Sequence, residues 1–161
     1  MNTTFALSIA LTIGVSALCS VLEAMILSTT VLEIEALKKT HKKAGRMLER
    51  FKNEIEETSS AILILNTVAN TLGATVVGGF ALKVFTAHDP DDVIKYTAIF
   101  MCLAVLIFSE IIPKNIGVLY RTSFQRILVY PLWLIRILMM PVSKLCKITI
   151  QLIVPVRGEE N

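Results

Sequence analysis

Phe5–Leu27 reads FALSIALTIGVSALCSVLEAMIL, a stretch whose one charge, Glu23, lies near its far end. At about 1.5 Å per residue, a helix of this length crosses the roughly 30 Å hydrocarbon core of a bilayer. No Lys or Arg precedes it and the apolar run is too long for a secretory leader, so it reads as a span. The whole chain agrees with that reading. Of 161 residues, 54% are hydrophobic and 18% are charged, against about a quarter charged in typical soluble domains. Mean hydropathy is +0.67. So short a chain cannot hide this much apolar surface in one globule. That argues against a soluble enzyme, a nucleic-acid binder and a disordered tail. The expected fold class is an all-α integral membrane protein.

Outward from the first span, about 5–28, two more follow at about 59–87 and 95–112, the third stopped by Pro113. Residues 31–57 are different: seven basic residues alternate with six Glu, which predicts one or two polar juxtamembrane helices broken near Gly45. The linker FTAHDPDDVIK, residues 85–95, is short and acidic. Residues 123–156 resemble a fourth span until Arg136 is counted, which near the bilayer centre costs at least a few kcal/mol. At 100° per residue, Gln125, Arg126, Arg136, Ser143, Lys144, Lys147 and Gln151 share an arc of about 100°. That pattern predicts a long interfacial amphipathic belt helix, bent at Pro131 and Pro141. Its Lys and Arg would face the cytosol, and Trp133, Leu134, Ile137 and Leu138 would face lipid. Fourteen of the sixteen basic residues fall in the 31–57 segment or after the third span. By the positive-inside rule the N-terminus is outside and the C-terminus cytosolic, in the plasma or inner membrane. Cys19, Cys102 and Cys146 are an odd, scattered set in apolar surroundings and read as small fillers.

Polar residues inside the spans are the candidate functional groups. Ser8, Thr12, Ser16, Cys19, Ser20 and Glu23 fall on one side of the first helix. Small hydroxyls on one face also serve close helix packing. Glu23 is an intramembrane acid, though near an end that water can reach. On the second helix Asn66 and Asn70 are four apart and share a face, as an interhelical clamp or as two amide oxygens for a ligand. The third ends in FSEIIPKN, where Pro113 has no N–H to offer the Ser109 carbonyl. Glu110 beside it is either a metal-ligating carboxylate or the partner of Lys114 one turn on. Counting about 1.5 Å per residue, Ser20 and Glu110 lie roughly 20 Å from the outer ends, and the two Asn roughly 10 to 16 Å from the cytosolic end. These depths coincide. Hard oxygen donors without thiolate or imidazole suit Mg²⁺, Ca²⁺ or Na⁺ and not zinc or copper.

The same stretches carry a resemblance. SALCSVLEAMILS (16–28), LNTVANTLGATVVG (65–78) and FSEIIPKNIGVLY (108–120) resemble the transmembrane domain of the CNNM/CorC family, over nearly the whole chain. The resemblance implies three spans with cytosolic juxtamembrane helices and a belt helix, a homodimer, and Mg²⁺ bound between the helices. It also implies Mg²⁺ export driven by Na⁺ entry. It assigns the metal ligands to Ser20, Asn66, Asn70, Ser109 and Glu110, with Ser16 as a neighbour, and draws attention to Glu23, Pro113 and Lys114. In that family the domain continues into ATP-binding CBS domains. Those would begin at the 158–161 tail, so ATP is expected to act only through domains outside this chain.

Two other function classes compete. An intramembrane enzyme would need a catalytic constellation, but there is no HExxH and no Asp pair in the spans, and His41 and His88 fall outside them. A membrane anchor or sensor would leave the activity to soluble domains. Ion transport is the leading expectation, with partners limited to lipid, Mg²⁺, Na⁺ and a second copy of the chain, and no nucleic acid.

Overall fold

The computed structural model describes the backbone of residues 2–86 and 88–153, and the side chains of 3–86, 88–145 and 148. Ala87, the expected end of the belt helix at 156 and the 158–161 tail lie outside the described residues, as do the side chains of Cys146, Lys147 and Gln151. Among the described residues every regular element is helical. In order they are α1 (Asn2–Ser28), α2 (Val31–Thr40), α3 (Lys42–Asn53), α4 (Ile55–Val84), α5 (Pro90–Ala104), a π-helical segment (Val105–Ile111), α6 (Ile112–Leu119) and α7 (Arg121–Ile153). Four helical stretches are long and apolar enough to cross a membrane: Thr3–Ser28, Ile55–Val84, Pro90–Leu119 and Arg121–Leu145.

Local chemistry sets the element ends. Thr30 caps α2 in a reciprocal box: its hydroxyl accepts the Glu33 N–H at 3.3 Å, and the Glu33 carboxylate accepts the Thr30 N–H at 2.9 Å. Asp89 caps α5 by accepting the Asp91 N–H at 2.9 Å, with Pro90 at the first position, where its missing N–H costs nothing. Glu56 and Glu57 open α4, favourable beside the positive end of its dipole.

Two boundaries differ from expectation. The polar segment breaks at His41 (φ −136°, ψ 74°), not at Gly45. Gly45 lies inside α3, where a Cβ would come within 2.7 Å of the Lys38 backbone, so it permits the α2–α3 approach. The third span does not stop at Pro113. The Ile112 N–H bonds the Ile107 carbonyl in π register, which places Pro113 at the start of α6 and lets the rod continue to Leu119.

The three rods pack closely. α1 and α4 run antiparallel: the Phe5 and Phe85 rings meet edge-on at 6.1 Å, Gly73 faces Thr12, and Lys52 donates to the Ile26 and Leu27 carbonyls at 3.0 Å each. A Cβ on Gly73 would lie 2.3 Å from the Thr12 side chain. α6 runs parallel to α1, and a Cβ on Gly117 would lie 2.7 Å from the Val21 carbonyl oxygen. The apolar core sits where the α2–α3 hairpin meets the ends of α1 and α4 and the first half of α7. There Leu22, Met25, Ile26, Leu48, Phe51, Ile62, Val129 and Leu132 are buried.

α7 is one continuous helix with Pro131 and Pro141 inside it. As expected, Trp133, Leu134, Ile137 and Leu138 are exposed. Its polar stripe divides: Arg126 and Lys144 are exposed, whereas Gln125, Arg136 and Ser143 face protein. Gln125 is buried and donates to the Thr29 hydroxyl at 3.0 Å. Arg136 was expected to face the cytosol; its side chain is only 12% exposed. It pairs with Glu54 and, at 3.5 Å, with Glu57, and its guanidinium lies 5.4 Å from the centre of the Phe51 ring. The helix crosses the α3–α4 corner, so its polar arc meets carboxylates there instead of water.

Candidate functional site

Several polar groups of the spans meet at a similar depth. Ser16 donates to Asn66 Oδ1 at 2.7 Å, and the Ser109 hydroxyl donates to the Ile13 carbonyl at 3.2 Å. Together with the Thr12–Gly73 approach, these contacts put residues 12–16 of α1, 66–73 of α4 and Ser109 at one depth. Ser20 lies one turn closer to the hairpin end of α1. Ser16, Ser20 and Ser109 are all fully buried. Ser109 and Glu110 belong to the π-helical segment, a geometry that recurs at functional sites.

Asn70 and Glu110 line a cavity of about 530 Å³ between α4 and α5. It runs from them past Gly78 and Met101 to Ile94, away from the hairpin end. Buried Ser20 Oγ and Asn70 Oδ1 have no hydrogen-bond partner among the described residues. A buried polar atom without a partner costs free energy comparable to a lost hydrogen bond, so each calls for a ligand or water. Among the described residues, no three His, Cys, Asp or Glu side chains converge on a point.

Of the sequence candidates only Asn70 and Glu110 line that cavity; Ser16, Ser20, Asn66, Ser109, Glu23, Pro113 and Lys114 do not. Lys114 pairs with Glu23 of α1 at 3.0 Å. The upper part of the α1 stripe is spent locally: Ser8 donates to the Phe5 carbonyl at 2.7 Å and Thr12 to the Ser8 carbonyl at 2.8 Å.

With this geometry in place, comparison with known proteins decides the family. The model of the cyclin M (CNNM) transmembrane N-terminal domain matches residues 7–161. The chain belongs to the CNNM family. It is similar to UPF0053 protein sll1254 of Synechocystis sp., 24% identical over 126 residues, 78% of this chain. The chain spans 35% of that relative's length. Family and apolar helices together make this an integral multi-pass membrane protein.

This CNNM domain also brings residues to the cavity that sequence reasoning passed over. Thr75 and Thr97 line it, as does Cys102. One signal for this wall was available: Asn70, Ala74 and Gly78 recur every four residues, a small and polar stripe on one face of α4.

Proposed function

We propose that this domain carries Mg²⁺ across the membrane, as Na⁺-driven export, through the layer of Ser16, Ser20, Asn66, Asn70, Ser109 and Glu110. The observation that carries this reading is Asn70 Oδ1, a buried oxygen with no hydrogen-bond partner among the described residues, which shares one cavity lining with Glu110; Ser20 Oγ, equally unpartnered, lies about a turn closer to the hairpin. Mg²⁺ prefers near-octahedral oxygen ligands at about 2.0 to 2.1 Å and seldom needs more than one or two carboxylates. A site with one carboxylate holds such an ion loosely enough to release it, as conduction requires. Na⁺ competing for the same oxygens would shift the protein between conformations by its differential affinity for them. Membership of the CNNM family supports divalent-cation transport, the coarser form of this reading.

The topology we propose is three spans, α1, α4 and the α5–α6 rod, with α7 as a belt on the cytosolic side and the N-terminus outside. Gln125 bonds Thr29 at the end of α1, and Arg136 pairs with Glu54 at the start of α4. Lys52 holds those two ends at one level. A helix crossing the bilayer would separate residues 125 and 136 by about 16 Å in depth. We also propose a homodimer. Gly73 is occupied by Thr12 within the protomer, whereas Gly78 and Gly79 have open space around them.

The test is Glu110→Gln, which keeps the shape and one oxygen but deletes the charge. Calorimetry with Mg²⁺ and flux into liposomes should both be lost. Parent-like binding and flux would make Glu110 a structural group of the π segment. Binding without flux in the parent chain would assign the domain to ion sensing or anchoring.

A further inference from the structure

Glu23 and Lys114 stand directly on the hairpin side of the ion layer. Glu23 follows Ser20 by three residues and Lys114 follows Glu110 by four, so each lies about one turn further along the same helix face. Their charged atoms are 3.0 Å apart, with the Glu23 side chain 23% exposed and that of Lys114 48% exposed. On the other side of Glu110 the cavity between α4 and α5 leads away, toward Ile94. The cavity thus reaches Glu110 from one side, and the Glu23–Lys114 pair stands about one turn further along toward the hairpin.

We propose that Glu23 and Lys114 are the cytosolic gate of the ion path, with the Lys114 ammonium acting as a tethered cation that an entering ion must displace. This rests on the Mg²⁺ transport reading above. Joining the helices is not the reason for the pair, because α1 and α6 already touch through backbone at Gly117 and Val21, with no room for a Cβ. Charge bookkeeping favours exchange over simple opening. Parting the pair leaves an uncompensated carboxylate close to the hydrocarbon, which is costly unless another cation takes the ammonium's place. A divalent cation binds that carboxylate more strongly than one ammonium does, and Lys114 has a flexible stem on which to swing toward water. The gate then opens when a cation arrives and stays closed when none does.

The test uses the full chain in liposomes, with its three native cysteines replaced and Ser20→Cys as the reporter. A membrane-impermeant cationic thiol reagent is applied from the hairpin side or from the opposite side. Lys114→Met should raise the labelling rate from the hairpin side by about tenfold or more and leave the opposite side unchanged, because the open fraction rises. Glu23→Gln should do the same, and Lys114→Arg should label like the parent. Glu23→Gln preserves side-chain shape and serves if Lys114→Met does not reach the membrane. Parent-like hairpin-side rates in the variants that do would overturn the gate. Mg²⁺ calorimetry on the chain with native Ser20 is read separately. Failure of the parent to bind would sink the cargo reading, while the labelling contrast still decides the gate.

Discussion

The two ends of this bundle are built on different principles. At the hairpin end, α1, α2, α3, α4 and α7 share one apolar core, and charged groups fasten its rim. Glu33 accepts from Arg121 at 2.9 Å, Lys38 holds Glu35 at 2.8 Å and also pairs with Glu49, and Arg136 holds Glu54. At the far end, where the α4–α5 linker turns, the helices leave space. A cavity of about 560 Å³ opens between Phe5, Phe85, His88 and Tyr96, and the 530 Å³ cavity lies between α4 and α5. Water drives packing at the first end. Along the spans between the two ends lipid replaces water and burying an apolar side chain gains little, so helices there need not close every gap. A densely packed collar therefore carries a less closely packed set of rods.

Stability measurements can break this contrast. Phe51 is 3% exposed in the collar core and Phe100 is 57% exposed on α5. Phe51→Ala should cost about 3 to 5 kcal/mol. Phe100→Ala should stay within about 0.5 kcal/mol. Denaturant unfolding in one detergent checks both, and equal losses would abolish the distinction. Gly73 sharpens it inside the span region. Gly73→Val brings new atoms against Thr12 and should cost about 1 to 3 kcal/mol through overpacking. Gly78→Ala, with nothing within 4 Å of its added Cβ in the protomer, should show no such overpacking loss and should gain up to about 1 kcal/mol of helix propensity.

Short-range patterns were the legible part of the molecule. Hydropathy identified the membrane segments, and spacing aligned Ser16 with Ser20 and Asn66 with Asn70. The missing N–H of Pro113 is plain in the sequence. Its consequence was misjudged, because the local rule sees only a broken bond. A π-register bond from Ile112 and the Ser109–Ile13 contact let the helix continue. Gly45 was read as a breaker on composition, whereas its role is set by Lys38, which sits on another helix. Periodicity likewise found the polar arc of α7 but could not say what it meets. Arg136 meets Glu54 only because α3 and α4 turn a corner there. Partner identity is tertiary information and is not carried by one helix's pattern.

The smallest predicted effect concerns the collar's carboxylates. The Arg136 hydrogen bond, followed by the charges of Arg136 and Arg50, outweighs desolvation and holds Glu54 below its ordinary value of 4.5. Burial pushes Glu33 upward, but the Thr30 amide and Arg121 outweigh it, so it too lies below 4.5. A carboxyl whose folded pKa is lower than its unfolded one stabilises the folded state above the unfolded pKa. That contribution is lost as pH falls through the folded value. Both groups act in the same direction, and both are partly solvated, so screening keeps the effect modest. Melting temperature should therefore be flat from neutrality down to about pH 4.5 and decline below it. In Glu54→Gln the decline should be shallower, because one of the two titrating groups is gone, while the neutral-pH melting temperature drops slightly. Phe51→Ala should lower the whole curve without changing its shape, since it removes packing and no proton. An acid limb unchanged by Glu54→Gln would mean that the α7 contact at Arg136 is held by the Phe51 ring and Glu57 instead of by the Glu54 charge.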